Sequence, residues 1–133
     1  SRALKDHPDI SPKTKKAVNE LAEKLNYTPN IVALSLRQSK TNTIGVVIPE
    51  IVHFFFSTII SGIEDVAYSA GYNIIITQSN ESFAREATNI KALFNSRVDG
   101  MLISLSRETS TFDHIENMLA KGVPMVFFDR VYD

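Results

Sequence analysis

The chain contains no cysteine, which excludes disulfide frameworks and thiol nucleophiles and fits a reducing compartment. It has no long hydrophobic run. The longest, residues 44–48 and 124–128, fall far below the roughly 20 apolar residues that a membrane-crossing helix needs. No signal-peptide pattern opens the sequence, so a cytoplasmic protein without a membrane partner is expected. The three histidines, His7, His53 and His114, are scattered without neighbouring ligands at metal spacing, and each is expected on the surface or in a loop. The glycines form neither a GxGxxG nor a P-loop, and Ser57 and Ser61 lack a nucleophile-elbow pattern. Enzyme chemistry therefore has no constellation to rest on, and no cofactor is expected.

What remains is ordinary globular composition in 133 residues, 44% hydrophobic and 22% charged, enough for one modest domain plus an appendage. The net charge of −1 conceals an asymmetry. Residues 1–41 carry +4, and residues 42–133 carry −5. A basic head on an acidic body is the pattern of a nucleic-acid-reading module joined to a ligand-sensing one.

The periodicities sort the chain into elements. Ser1 to Leu4 reads as the end of a helix, followed by a loop containing His7-Pro8. Ser11 caps a second helix with Pro12 at its first position, and Ala17, Val18, Leu21, Ala22 and Leu25 form its apolar face. From Ile44 the pattern becomes strand, helix, strand, helix. Strands are predicted at 44–48, 72–77, 100–105 and 125–128. Helices are predicted at 55–70, with Ile59, Ile60, Ile63, Val66 and Ala67 inward and Gly71 closing it; at 82–95, with Phe83, Ala87, Ile90 and Phe94 inward; and at 111–121, opened by a Ser110-x-x-Asp113 capping box. Near-continuous apolar strands alternating with helices imply a parallel sheet covered on both faces.

Between the head and the first strand lies the sequence YTPNIVALSLRQSKTNTIGVVIP, residues 27–49. Pro29 forces Thr28 out of the helical region, and Asn30 can then cap a short helix over residues 30–37. That helix is almost entirely apolar, is too short to be stable alone in water, and is flanked by Arg37 and Lys40. A marginal apolar helix beside basic residues suggests folding on a partner, and the minor groove of DNA, with a leucine as wedge, fits. Residues 39–42 form a polar linker.

These residues resemble the hinge of the lactose/galactose-repressor family of bacterial transcription regulators, through Tyr27, Pro29, Asn30, Ser35-Leu36-Arg37, Thr41 or Thr43, and Ile44-Gly45-Val46. Leu34 departs from the arginine that many members carry. The resemblance extends over essentially all of the chain, and a full member is more than twice as long. It implies an incomplete helix-turn-helix head over residues 1–29, a hinge helix and linker over 30–43, and, over 44–133, the amino-terminal lobe of a periplasmic-binding-protein-like sensor whose second lobe is missing. The protein would then be a ligand-responsive regulator, read as a repressor, that binds a near-palindromic operator as a homodimer. Ser1 and Arg2 would lie on the recognition helix, where arginine pairs bidentately with guanine. Asn30, Arg37 and Lys40 would contact phosphates, Leu36 would enter the minor groove, and Ala33 is a further candidate DNA contact. The helix over 82–95 would contribute to the dimer surface.

In open parallel sheets ligands bind beyond the carboxyl ends of the strands. Those ends here offer His53, Phe55, Phe56, Asn80, Ser104, Asp129 and Arg130 as candidate effector contacts. Phe55 and Phe56 can stack on a sugar ring or a nucleobase, and they match the family's effector wall; the competing reading places one or two of the aromatics in the core. Asn80, Ser104 and Asp129 can bond sugar hydroxyls, or serve as caps and turns. A sugar or sugar phosphate is the leading effector class. The alternative function is a periplasmic sugar receptor without DNA binding. An α/β enzyme or phospho-receiver would need an acidic cluster at the strand ends, where Glu50 and Asp129 are the only candidates. The fourth strand, at an edge, predicts weak stability or aggregation of the lone lobe.

Overall fold

The computed structural model describes residues 2–28, 30, 33 and 39–132. The expectations for Ser1, Leu36 and Arg37, and most of the helix expected over 30–37, lie outside the described residues. The chain divides into two compact units, residues 1–34 and 35–133.

In the first unit, α1 (Pro12–Lys24) starts as its sequence predicts. Ser11 is extended and its hydroxyl accepts from the Thr14 N–H, with Pro12 in the first turn. The helix ends on Asn26, whose φ of 53° is left-handed, while Tyr27 N–H reaches the Ala22 carbonyl at 2.8 Å. The same closing geometry appears at residues 2–7, where His7 N–H bonds Arg2 O and Asp6 has φ 55°. This is the signature of a helix end, as residues 1–4 suggest. Lys15 Nζ lies 2.7 Å from Asp6, and that hydrogen bond and its charge hold the Asp6 carboxyl below its ordinary range. The expected burial of the α1 stripe is not met: no residue of α1 is buried, and Leu21 and Leu25 are 56% and 68% exposed. A unit of this length has too little chain to cover an apolar stripe. Leu4, Val18, Leu21, Leu25 and Tyr27 instead line a shallow open groove.

The second unit runs β1 (Thr43–Ile48), α2 (Phe54–Ser69), β2 (Asn73–Gln78), α3 (Phe83–Asn95), β3 (Gly100–Ile103), α4 (Asp113–Ala120), β4 (Met125–Phe127). All pairings are parallel, in the order β2-β1-β3-β4. Chain order reverses around β1 and β3, which makes their carboxyl ends the crevice of the sheet. Val46, Val47 and Ile48 are wholly buried because β1 is paired on both sides and its side chains alternate between two covered faces. On one face Val47, Met101 and Ile103 pack with Ile90 and Leu93 of α3 and Ile115 and Met118 of α4. On the other, Val46 and Ile48 pack with Phe56, Ile60 and Ile63 of α2. The motif glycine, Gly45, is needed for close approach: a Cβ there would meet Leu93 Cδ1 at 2.7 Å.

Several boundaries and faces differ from those predicted. β3 ends at Ile103, because Ser104 and Leu105 leave the ladder after the Ser104 N–H bonds Val47 O and turn to meet Arg130 O. The capping box at Ser110 does not form. Phe112 is the N-cap, without a side-chain cap bond, and α4 begins at Asp113. Core packing holds Phe112 there, 4.9 Å from the Tyr132 ring. In α3 the buried positions are Glu86, Ile90 and Leu93; Phe83, Ala87 and Phe94 are only half-buried. Val66 of α2, expected inward, is 72% exposed. His114, expected at the surface, is largely enclosed against Glu86. The linker residues Thr41 and Asn42 are tied down, each donating its N–H to the Asp99 carboxylate at 2.9 Å.

Each of α1 to α4 closes on a left-handed residue, which is Gly71 after α2 and Gly122 after α4 but Arg97 after α3, at φ 58°. A Cβ strains this region. Arg97→Gly is therefore expected to raise stability by about 0.5–1 kcal/mol, read as a higher urea midpoint at unchanged slope.

Candidate functional site

Beyond the carboxyl ends of the strands lies an open cleft of about 380 Å³. Each strand supplies it through the loop that follows: Glu50, His53, Phe55 and Phe56 after β1, Glu81 after β2, Arg107 after β3, Asp129 and Arg130 after β4. The aromatic run is divided by the first turn of α2. His53 caps that helix, its Nδ1 accepting from Phe55 N–H at 3.3 Å. Phe56 is 5% exposed and belongs to the core, so the core reading holds for it, although its ring also forms part of the cleft wall. Phe55 is 44% exposed and meets Phe56 edge-on at 5.2 Å, presenting an aromatic surface to the cleft. Phe54 is 84% exposed outside it.

Opposite this surface sits an ion cluster. Glu81 takes Arg130 Nη1 at 2.5 Å on one oxygen and Arg107 Nε at 3.1 Å on the other. Arg130 Nη1 also donates to Leu105 O at 3.2 Å, and its Nε lies 3.9 Å from Asp129. With Glu50, the cleft holds three carboxylates against two guanidiniums. Such a site can stack one face of a ring on Phe55 while carboxylates accept from, and guanidiniums donate to, hydroxyls at the rim.

Five of the seven candidate effector residues, His53, Phe55, Phe56, Asp129 and Arg130, line this one cleft. Asn80 and Ser104 do not. Asn80 adopts φ 56° and donates its N–H to Pro49 O, a turn role. Ser104 is wholly buried, and its hydroxyl has no partner among the described residues. Sequence reasoning missed Glu81 and Arg107, whose pairing joins loops distant in the chain. The candidate DNA contacts are described in part. Arg2 is exposed beside the closing turn of residues 2–7. The Asn30 side chain accepts from Ala33 N–H at 3.3 Å, a cap as predicted, and Ala33 is helical. Lys40 Nζ lies 5.2 Å over the Tyr72 ring, and hydrogen bonding to Tyr72 holds its ammonium above the ordinary lysine range.

The family described as periplasmic binding proteins and sugar binding domain of LacI family matches residues 41–133. The chain belongs to the LacI family. Catabolite control protein A of Priestia megaterium is 36% identical over 126 residues, which is 95% of this chain and 37% of that protein. The chain thus spans little more than a third of that relative. An alignment of 126 residues must take in most of residues 1–40, which the family match at 41–133 leaves out. Among solved structures, the lac repressor dimer bound to operator and the anti-inducer ONPF superposes over 98% of this chain and 39% of its own, with a TM-score of 0.82. At 24% identity this likeness speaks for the fold alone. A periplasmic binding protein/LacI transcriptional regulator from Alkaliphilus metalliredigens, complexed with D-xylulofuranose, is 28% identical over 68% of this chain and 32% of its own, with a TM-score of 0.54. The relatives that this LacI-family chain matches are named as regulators rather than enzymes. No helix among its described residues is long and apolar enough to cross a membrane.

Proposed function

We propose that the chain is part of a ligand-responsive transcription regulator that acts in the cytoplasm as a homodimer on a near-palindromic operator and senses a small polyhydroxylated molecule. The observation that carries this reading is the cleft, where one aromatic surface and one ion cluster converge at the sheet crevice. The head, residues 1–29, would read the operator through Ser1 and Arg2; the hinge, residues 30–43, would place Leu36 in the minor groove, with Asn30, Arg37 and Lys40 on phosphates and Ala33 also against the DNA. Effector binding would be coupled to hinge geometry through the sensor body, residues 44–133. The relative's match across most of residues 1–40 favours this over a periplasmic receptor, which needs no basic head. The sugar bound to the Alkaliphilus protein supports a sugar as the effector class.

Calorimetric titration of the full-length protein carrying this sequence with D-ribose, D-xylulose, D-glucose and their monophosphates tests the cleft. One of these is expected to bind, with Phe55→Ala and Asp129→Ala each weakening it by about 10–100-fold and Asn80→Ala leaving it unchanged. No binding by any member, or an equal loss in Asn80→Ala, would refute the cleft as the sensor.

A further inference from the structure

Resting on that reading of the cleft, we propose that the buried Glu86–His114 pair is a positioning device for it, fixing the loop between β3 and α4 and with it the guanidinium of Arg107. Glu86 lies on the inner face of α3 with no exposed surface. Its Oε1 accepts the Ser106 N–H at 2.6 Å, and its Oε2 accepts the Thr109 hydroxyl at 2.7 Å and lies 2.7 Å from His114 Nε2. The Ser106 and Thr109 hydroxyls are 2.8 Å apart. Ser106 and Thr109 belong to the loop between β3 and α4, and His114 to the first turn of α4. A carboxylate removed from water is tolerated only when donors surround it, so the burial of Glu86 and the path of this loop require each other.

Arg107 sits between the two anchored loop residues, Ser106 and Thr109. Its side chain, 79% exposed, lines the open cleft and pairs with Glu81 at 3.1 Å, beside Arg130. The same segment is tied on its flanks, Leu105 O to Arg130 and Glu108 Oε2 to the Phe83 N–H at 2.9 Å. His114 completes the device from α4. Its side chain is 10% exposed and its ring stands edge-on to Phe83 at 5.0 Å. Its Nδ1 has no partner among the described residues, so the Nε2 bond to Glu86 orients the ring. Neither Glu86 nor His114 lines the cleft. They act through the loop, placing the guanidinium that selects which pattern of ligand hydroxyls is met.

The test needs no ligand. Hydrogen exchange of the Ser106 and Thr109 amides, which donate to Glu86 Oε1 and Ser106 O, is compared between the full-length protein carrying this sequence and its Thr109→Val, His114→Gln and Glu86→Gln variants. Both rates are expected to rise about tenfold, the factor that one charge-assisted hydrogen bond is worth, while the amides of β1 keep theirs. Val46→Ala, on the other face of the sheet, controls for general destabilisation and is expected to leave both rates unchanged. Unchanged rates in both Thr109→Val and His114→Gln, or an equal rise in Val46→Ala, would overturn the proposal. Should Glu86→Gln fail to fold, Thr109→Val removes a single donor at constant shape and carries the test. Since no ligand enters, loop movement without sugar binding would sink the cleft reading alone, and sugar binding without loop movement would sink the positioning role alone.

Discussion

Replacing Glu86 by alanine lowers the unfolding free energy by about 3–5 kcal/mol, the cost of breaking a buried charged network by removing one partner. The carboxylate is wholly buried, and three donors converge on it: the Ser106 N–H, the Thr109 hydroxyl and His114. Alanine leaves an amide and an imidazole without an acceptor in a space that water reaches poorly. Each unsatisfied group costs about 1–3 kcal/mol, which is why the whole exceeds a single lost bond. Urea unfolding followed by circular dichroism measures it. A loss below about 1 kcal/mol would mean that water or relaxation satisfies the orphaned groups and that the network is incidental.

The second large effect lies where α3 meets the sheet. Leu93→Ala is expected to cost about 2–5 kcal/mol, because Leu93 is 1% exposed within the main core cluster and its removal leaves a cavity against β1. Gly45→Ala alone should cost about 1–3 kcal/mol, since its methyl would stand 2.7 Å from Leu93 Cδ1. The two should not add. With Leu93 truncated the methyl at position 45 enters vacated space, and a favourable coupling of about 1 kcal/mol is expected. Strict additivity across this cycle would show that Gly45 is required for some reason other than the approach of Leu93.

What the sequence conveyed and what it hid follow from the range of the interactions. The β/α alternation was readable because it rests on local periodicity. The run from Ile44 to Ile48 is apolar on successive residues, as only a strand covered on both faces requires, and its neighbours carry helical spacing. Capping by Ser11 and Asn30 was readable for the same reason, since cap and amide lie three residues apart. The Ser110 capping box failed because Phe112 answers to the core, a tertiary demand that overrides a local signal. Glu86 and His114 were invisible because their bond joins residues 28 apart, and a glutamate in a helix normally reads as solvated surface. A trace was present, since Glu86 stands four residues before Ile90 and seven before Leu93, on the face that proves to be buried. In the cleft, the aromatic run after β1 drew attention by itself, whereas the Glu81–Arg107 pair is assembled from two separate loops. Asn80 and Ser104 were placed in the site by chemistry alone. Asn80 stands in a turn and Ser104 is wholly buried, and neither lines the cleft.

We propose that this sequence belongs to a regulator that reads DNA through a basic head and an apolar hinge. This is tested most directly by mixing the full-length protein carrying it with a pool of random duplex DNA at stepped salt concentrations and sequencing what remains bound. Enrichment of a near-palindrome with a flexible pyrimidine–purine step at its centre is expected, lost in Leu36→Ala. Weak binding that disappears with salt and enriches no sequence would contradict it, leaving a ligand-binding body whose basic head is incidental charge.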